Sequence, residues 1–152
     1  MIGLMVLRSA LPGAALAACV MAACVMFASP ALAETISFKA DLKASQEVPP
    51  NDSKGTGTVT ATYDTASKKL TWKGNYSGLS GPATMAHFHG PAEPGKNAGV
   101  AVPITPSASP FENSANLTDA QAADLMAGRW YVNVHTAAHP GGEIRGQLVK
   151  GM

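Results

Sequence analysis

The chain has 152 residues, and its eleven basic and ten acidic side chains leave a formal net charge of +1. So even a balance, with no run of like charge, argues against nucleic acid or a membrane surface as partner. Both cysteines, Cys19 and Cys24, fall within the first 33 residues, which composition sets apart from the rest.

That first segment reads as an export signal. Met1 to Arg8 gives a short positive start, and an apolar run rich in Ala, Leu, Val and Met extends to Ala28. Ser29-Pro30 breaks the run, and Ala31-Leu32-Ala33 supplies the small residues a signal peptidase reads, which predicts cleavage before Glu34. A retained transmembrane anchor is one alternative, against which the helix-breaking Pro30 stands. Leu16-Ala17-Ala18-Cys19 resembles a lipobox, so a lipoprotein anchored at Cys19 is another, although the apolar run continues past that cysteine. Cleavage leaves 119 residues, 34–152, enough for one domain with its own core. Loss of Arg8 then balances ten basic against ten acidic residues, and no thiol is left for a disulfide despite a periplasmic or secreted destination. No membrane span is expected after cleavage.

Beyond residue 33 the pattern is that of strands. "TISFKADLK" alternates, with Ile36, Phe38, Ala40 and Leu42 on one side. "SQEVPP" ends that strand, because Pro49 and Pro50 cannot serve a central ladder, and Glu47 is expected there as a solvated loop carboxylate, with reach to a neighbouring site as the alternative. "GTGTVTATYD" is rich in Thr and Val, and "KLTWKGNYSGL" sets Leu70, Trp72 and Gly74 opposite Thr71, Lys73 and Asn75. Further strands are expected at "TMAHFHG", "VAVPI", "RWYVNVHT" and "EIRGQLVK". Short alternating runs between turn formers predict an all-β fold, antiparallel strands in a sandwich or barrel. "TPSASPFENSAN" is expected as a polar, proline-bearing loop. "LTDAQAADLMAG" is the exception: Thr118 and Gln121 have capping-box spacing, and Gly128 can end one short helix.

Four histidines occur in two clusters. In a strand, residues two apart share a face about 6.6 Å apart, so Met85, His87 and His89 point one way and Phe88 the other. Trp130, Val132 and Val134 likewise oppose Tyr131, Asn133 and His135, with His139 on the following turn. If the two strands are neighbours, three or four imidazoles converge on a metal site. All-nitrogen sites suit zinc, copper, nickel or iron, and affinity favours copper(II). Met85 offers a thioether on the same face, or simply packing. The bland alternative is that these histidines brace loops or titrate at a surface.

Taken in order, "FKADLKASQEVPP" (38–50), "GTGTVTATYDTASKKLTWKGNYSGLSGPATMAHFHGPA" (55–92) and "LTDAQAADLMAGRWYVNVHTAAHPGGEIRGQL" (117–148) resemble the CHRD domain. This module is named after chordin and also occurs singly in secreted bacterial proteins. The resemblance implies a β-sandwich related to immunoglobulin-like folds and says little of activity; in chordin such domains belong to an extracellular antagonist of growth factors. Position by position it covers His87, His89, His135, Glu143 and Arg145. His139 departs from it, since the family commonly has Asn or another polar residue there, which favours a three-histidine set. Glu143 and Arg145 share a strand face, where an ion pair between them is the simple expectation. Alternatively they stand behind the metal ligands, Glu143 through a water.

Three classes of function follow. The first is an exported protein holding copper or zinc through the histidines. The second is a structural or protein-interaction module of the cell envelope with an unidentified partner and no metal. The third is a copper or zinc metalloenzyme with an open coordination position. Catalysis has the least support: "GLSG" is no nucleophile elbow, "GTGTVT" no phosphate cradle, and no acid–base carboxylate pair stands out.

Overall fold

The computed structural model describes residues 33–151, so the expected export segment, with Cys19 and Cys24, lies outside them apart from Ala33. Among the described residues no helix is long and apolar enough to cross a membrane. The strands are β1 Thr35–Lys43, β2 Thr56–Asp64, β3 Lys69–Ser77, β4 Ala83–His89, β5 Val100–Pro103, β6 Phe111–Asn116, β7 Tyr131–Thr136, β8 Ile144–Gln147 and β9 Val149–Lys150, with one α-helix, α1, at Asp119–Met126.

The expectation of an all-β antiparallel fold with one short helix holds. Hydrogen bonding runs through one continuous sheet in the order β5-β4-β7-β8-β1-β2-β3-β6, with β9 also on β1, rather than dividing into two sheets. Alternation explains the curl. Phe38, Ala40 and Leu42 of β1, Val59, Ala61 and Tyr63 of β2, and Leu70 and Trp72 of β3 all turn inward and are buried. They meet Phe88 of β4 and Val132 and Val134 of β7 in one core. Trp72 and Phe88 touch edge to face across that core, ring centroids 5.0 Å apart, although their strands lie far apart along the sheet. The helix closes part of this core with Leu125 and Ala122. Its capping box is formed: Gln121 N–H donates to Thr118 Oγ1 at 3.2 Å, and Thr118 N–H to Gln121 Oε1 at 2.9 Å.

The loop expected over residues 105–116 is in part a strand. β6 pairs with β3 in register from Gly74↔Phe111 to Lys69↔Asn116. Its sequence, FENSAN, buries only Phe111, because an edge strand at the periphery needs little apolar side chain. Phe111 in turn lies over Gly74, where a Cβ would stand 2.8 Å from its Cε2.

The halves of the sheet join along β1, which pairs with β8 at Lys43↔Arg145 and with β9, just beyond it, at Lys39↔Val149 and Phe38↔Lys150. Gly146 makes the approach of β8 possible: a Cβ there would sit 2.5 Å from the Asp41 carbonyl oxygen and 3.0 Å from Leu42 Cδ2. Gly146→Ala should therefore lower the unfolding free energy by about 1–3 kcal/mol in chemical denaturation. Gly81→Ala, where a Cβ meets nothing within 4 Å, should change it by less than about 0.5 kcal/mol. Equal effects at the two positions would contradict the close β1–β8 contact.

Candidate metal centre

Partners in an antiparallel pair share a sheet face. The β4–β7 register sets Met85 against His135, His87 against Asn133 and His89 against Tyr131. The β7–β8 register adds Arg145 opposite Asn133 and Gln147 opposite Tyr131. One outer face thus collects the polar residues of three strands, while Ala86, Phe88, Val132, Val134 and Ile144 enter the core. All six residues of β7 are buried. Loops cover the outer face, and they do so by hydrogen bonding to what lies beneath, as buried polar groups require.

His87, His89 and His135 come together, their nearest ring nitrogens all within 4.8 Å of one another. His87 Nδ1 and His135 Nε2 are 3.3 Å apart. Two nitrogens about 2.0–2.1 Å from one ion at the tetrahedral angle stand about 3.3–3.4 Å apart, so this pair already has the spacing of two ligands. His135 is also prepared in its protonation. Its Nδ1 lies 2.9 Å from the Pro140 carbonyl oxygen, which can only accept, so in the neutral ring Nδ1 carries the proton and Nε2 presents its lone pair toward His87.

His89 is held on three sides. Its ring stacks on Tyr131, centroids 4.8 Å apart and planes 6° from parallel. Its Nδ1 faces the Ala98 carbonyl at 3.1 Å and its Nε2 faces Asn133 Oδ1 at 3.0 Å. A neutral ring has one N–H to offer to these two oxygens. Burial is the main reason that both His87 and His89 titrate below the usual imidazole value; neighbouring imidazoles add to it at His87, and hydrogen bonds oppose it at His89. Neutral imidazoles with available lone pairs are what a divalent ion needs.

The remaining expected residues are placed differently. His139 lies on the turn after β7 and is not in the three-histidine group. Glu143 and Arg145 do not pair with each other. The Glu143 carboxylate accepts from Ser53 Oγ at 2.6 Å, from Ser80 N–H at 2.7 Å and Oγ at 2.6 Å, and from Thr136 Oγ1 at 2.5 Å. Four donors leave no room for a guanidinium. Burial alone would raise this carboxyl, but those hydrogen bonds together outweigh it and hold it at about 2. Glu143 hydrogen-bonds none of the three histidines; it ties the 53 and 80 loops to β7. Arg145 instead lies over the Tyr131 ring, 3.4 Å from its centroid, and donates to Asn97 Oδ1 at 2.8 Å and the Lys96 carbonyl at 2.6 Å. It thereby backs the ring on which His89 stacks.

Two further residues border this face that the sequence did not single out as site residues. Asn133 sits directly across from His87 and reaches His89. Glu47, expected in solvent, is only 5% exposed, and its Oε1 has no hydrogen-bond partner. Burial drives its carboxyl up to about 7, against the pull of the Arg145 charge and of hydrogen bonds from Val48 and Asn133. No local feature of the sequence marks this burial.

Fold and site together define an all-β domain with a loop-covered imidazole cluster on its outer face. Comparison with known families matches residues 38–148 to the CHRD domain. The chain belongs to the CHRD domain family. No curated protein and no solved structure matches it.

A folded-state value above the unfolded one means that Glu47 binds its proton more tightly when folded, so its ionisation costs stability as pH rises from about 4.5 to about 7. Glu47→Gln removes this cost and leaves the histidine contributions common to both proteins. In metal-free protein, the stability of E47Q relative to wild type should therefore climb across that window and level off above it. A difference independent of pH would show that Glu47 is not buried as described.

Proposed function

We propose that this domain is an exported metal-binding protein that holds one transition-metal ion, copper or zinc, through His87, His89 and His135. The observation that carries the reading is the His87–His135 nitrogen pair at ligand spacing, with the His135 tautomer fixed by Pro140. His89 completes three imidazole donors, a set that suits either metal and leaves a fourth position. Met85 supports the copper option. It lies opposite His135 and is 47% exposed, so filling the core does not explain it. The signal read over residues 1–33 would deliver the domain to the periplasm or beyond, with Cys19 removed along with it. We read the two halves of the sheet, joined along β1, as the layers of an immunoglobulin-like sandwich.

Protein beginning at Glu34 and carrying no histidine tag should contain about one copper or zinc ion per chain by elemental analysis. His87→Ala with His89→Ala should abolish that content while the near-ultraviolet circular dichroism persists, and His139→Ala should leave it intact. Binding should weaken as pH falls below about 6.5, when protons compete for imidazole nitrogens. Full metal retention by the double variant would remove these histidines from the account and favour an interaction module.

A further inference from the structure

The metal reading leaves one buried group without a role. Glu47 reaches the outer face from the loop after β1, and the close approach depends on Gly142. That residue has φ +130, and a Cβ on it would meet the Glu47 carboxylate and stand 2.8 Å from Asn133 Nδ2. The carboxylate and the Asn133 amide therefore border the same small space. The other end of that amide, Oδ1, is 3.0 Å from His89 Nε2. Arg145 is the nearby cation, yet its donors go to Lys96 and Asn97 and its plane to Tyr131, so it makes no contact ion pair with Glu47.

Packing does not account for such a group. A buried carboxylate with an unpartnered oxygen is costly, and glutamine would occupy the same volume without the charge. A cation bound by the three imidazoles would supply what Glu47 lacks, with Asn133 as the link. We infer that Glu47 and Asn133 form a positioning arm behind His89, in which Asn133 Oδ1 accepts from the ring's Nε2–H and so fixes its orientation and tautomer, and which contributes compensating negative charge to the metal centre. This inference rests on the metal reading above. The carboxylate touches no ligand; it acts through Asn133 on His89. Two connections thus converge on one ring, Arg145 through Tyr131 and Glu47 through Asn133.

The experiment compares zinc affinity, by chelator competition, with metal-free stability in the protein beginning at Glu34 and its Glu47→Gln variant. The arm predicts that the two quantities separate. Zinc binding should weaken about 10- to 100-fold, the usual effect of losing a partner behind a ligand, while the variant unfolds no more easily at pH 7 than wild type. A merely structural Glu47 would lower both together. Affinity equal to wild type, or a loss that only tracks unfolding, would overturn the inference. Should the variant fail to fold, the wild-type Glu47 carboxyl carbon resonance decides: it must shift in proportion to zinc occupancy, and a static resonance would overturn the arm. Failure of the metal reading is distinct, since wild type itself would then not bind zinc.

Discussion

The outer face of β7 carries Tyr131, Asn133 and His135 into a region that water does not reach, and their polar atoms must find partners there. That requirement organises the structure around them. Pro140 answers His135, Ala98 answers His89 and also the Tyr131 hydroxyl, and Lys96 with Asn97 takes up Arg145. Asn51 donates to the Glu143 carbonyl at 3.0 Å, tying the loop after β1 to the start of β8. Each loop is thus fixed at the point where it closes the face.

A satisfied polar layer of this kind costs more to assemble than an apolar one and gives directional order in return. Here the order falls on three imidazoles. The inner face of the same strands fills the core with Ala86, Phe88, Val132 and Val134, and it keeps the backbone of β4 and β7 in register. One pair of strands therefore serves as core wall on one side and donor platform on the other. Displacing either strand by one residue would exchange the two faces, so packing of the core also guards the site.

Much of this was legible in the sequence. Alternation in β1 and β3 located the inward residues, and the H-x-H of β4 with the parity of His135 put three histidines on faces opposite apolar stripes. Thr118 and Gln121 located the helix. What alternation could not reveal was β6, whose partner is a single strand and whose side chains stay mostly polar. Parity also said nothing of contacts made by loops. Glu143 shares parity with Arg145, but hydroxyls from Ser53 and Ser80, far off in sequence, claim it first. Glu47 reads as solvated because nothing local records that the chain turns back over β8. The family resemblance located His87, His89 and His135 and gave no sign of Asn133 as their central neighbour.

The central claim is that two separate strands bring their imidazoles to one ion. Crystals of the protein beginning at Glu34, loaded with zinc or copper and measured at the metal's absorption edge, test it directly. The account predicts one anomalous peak per chain, about 2.0–2.1 Å from a ring nitrogen of each of His87, His89 and His135. A peak that engages only one of the two strands, or none on this face at saturating metal, would contradict it.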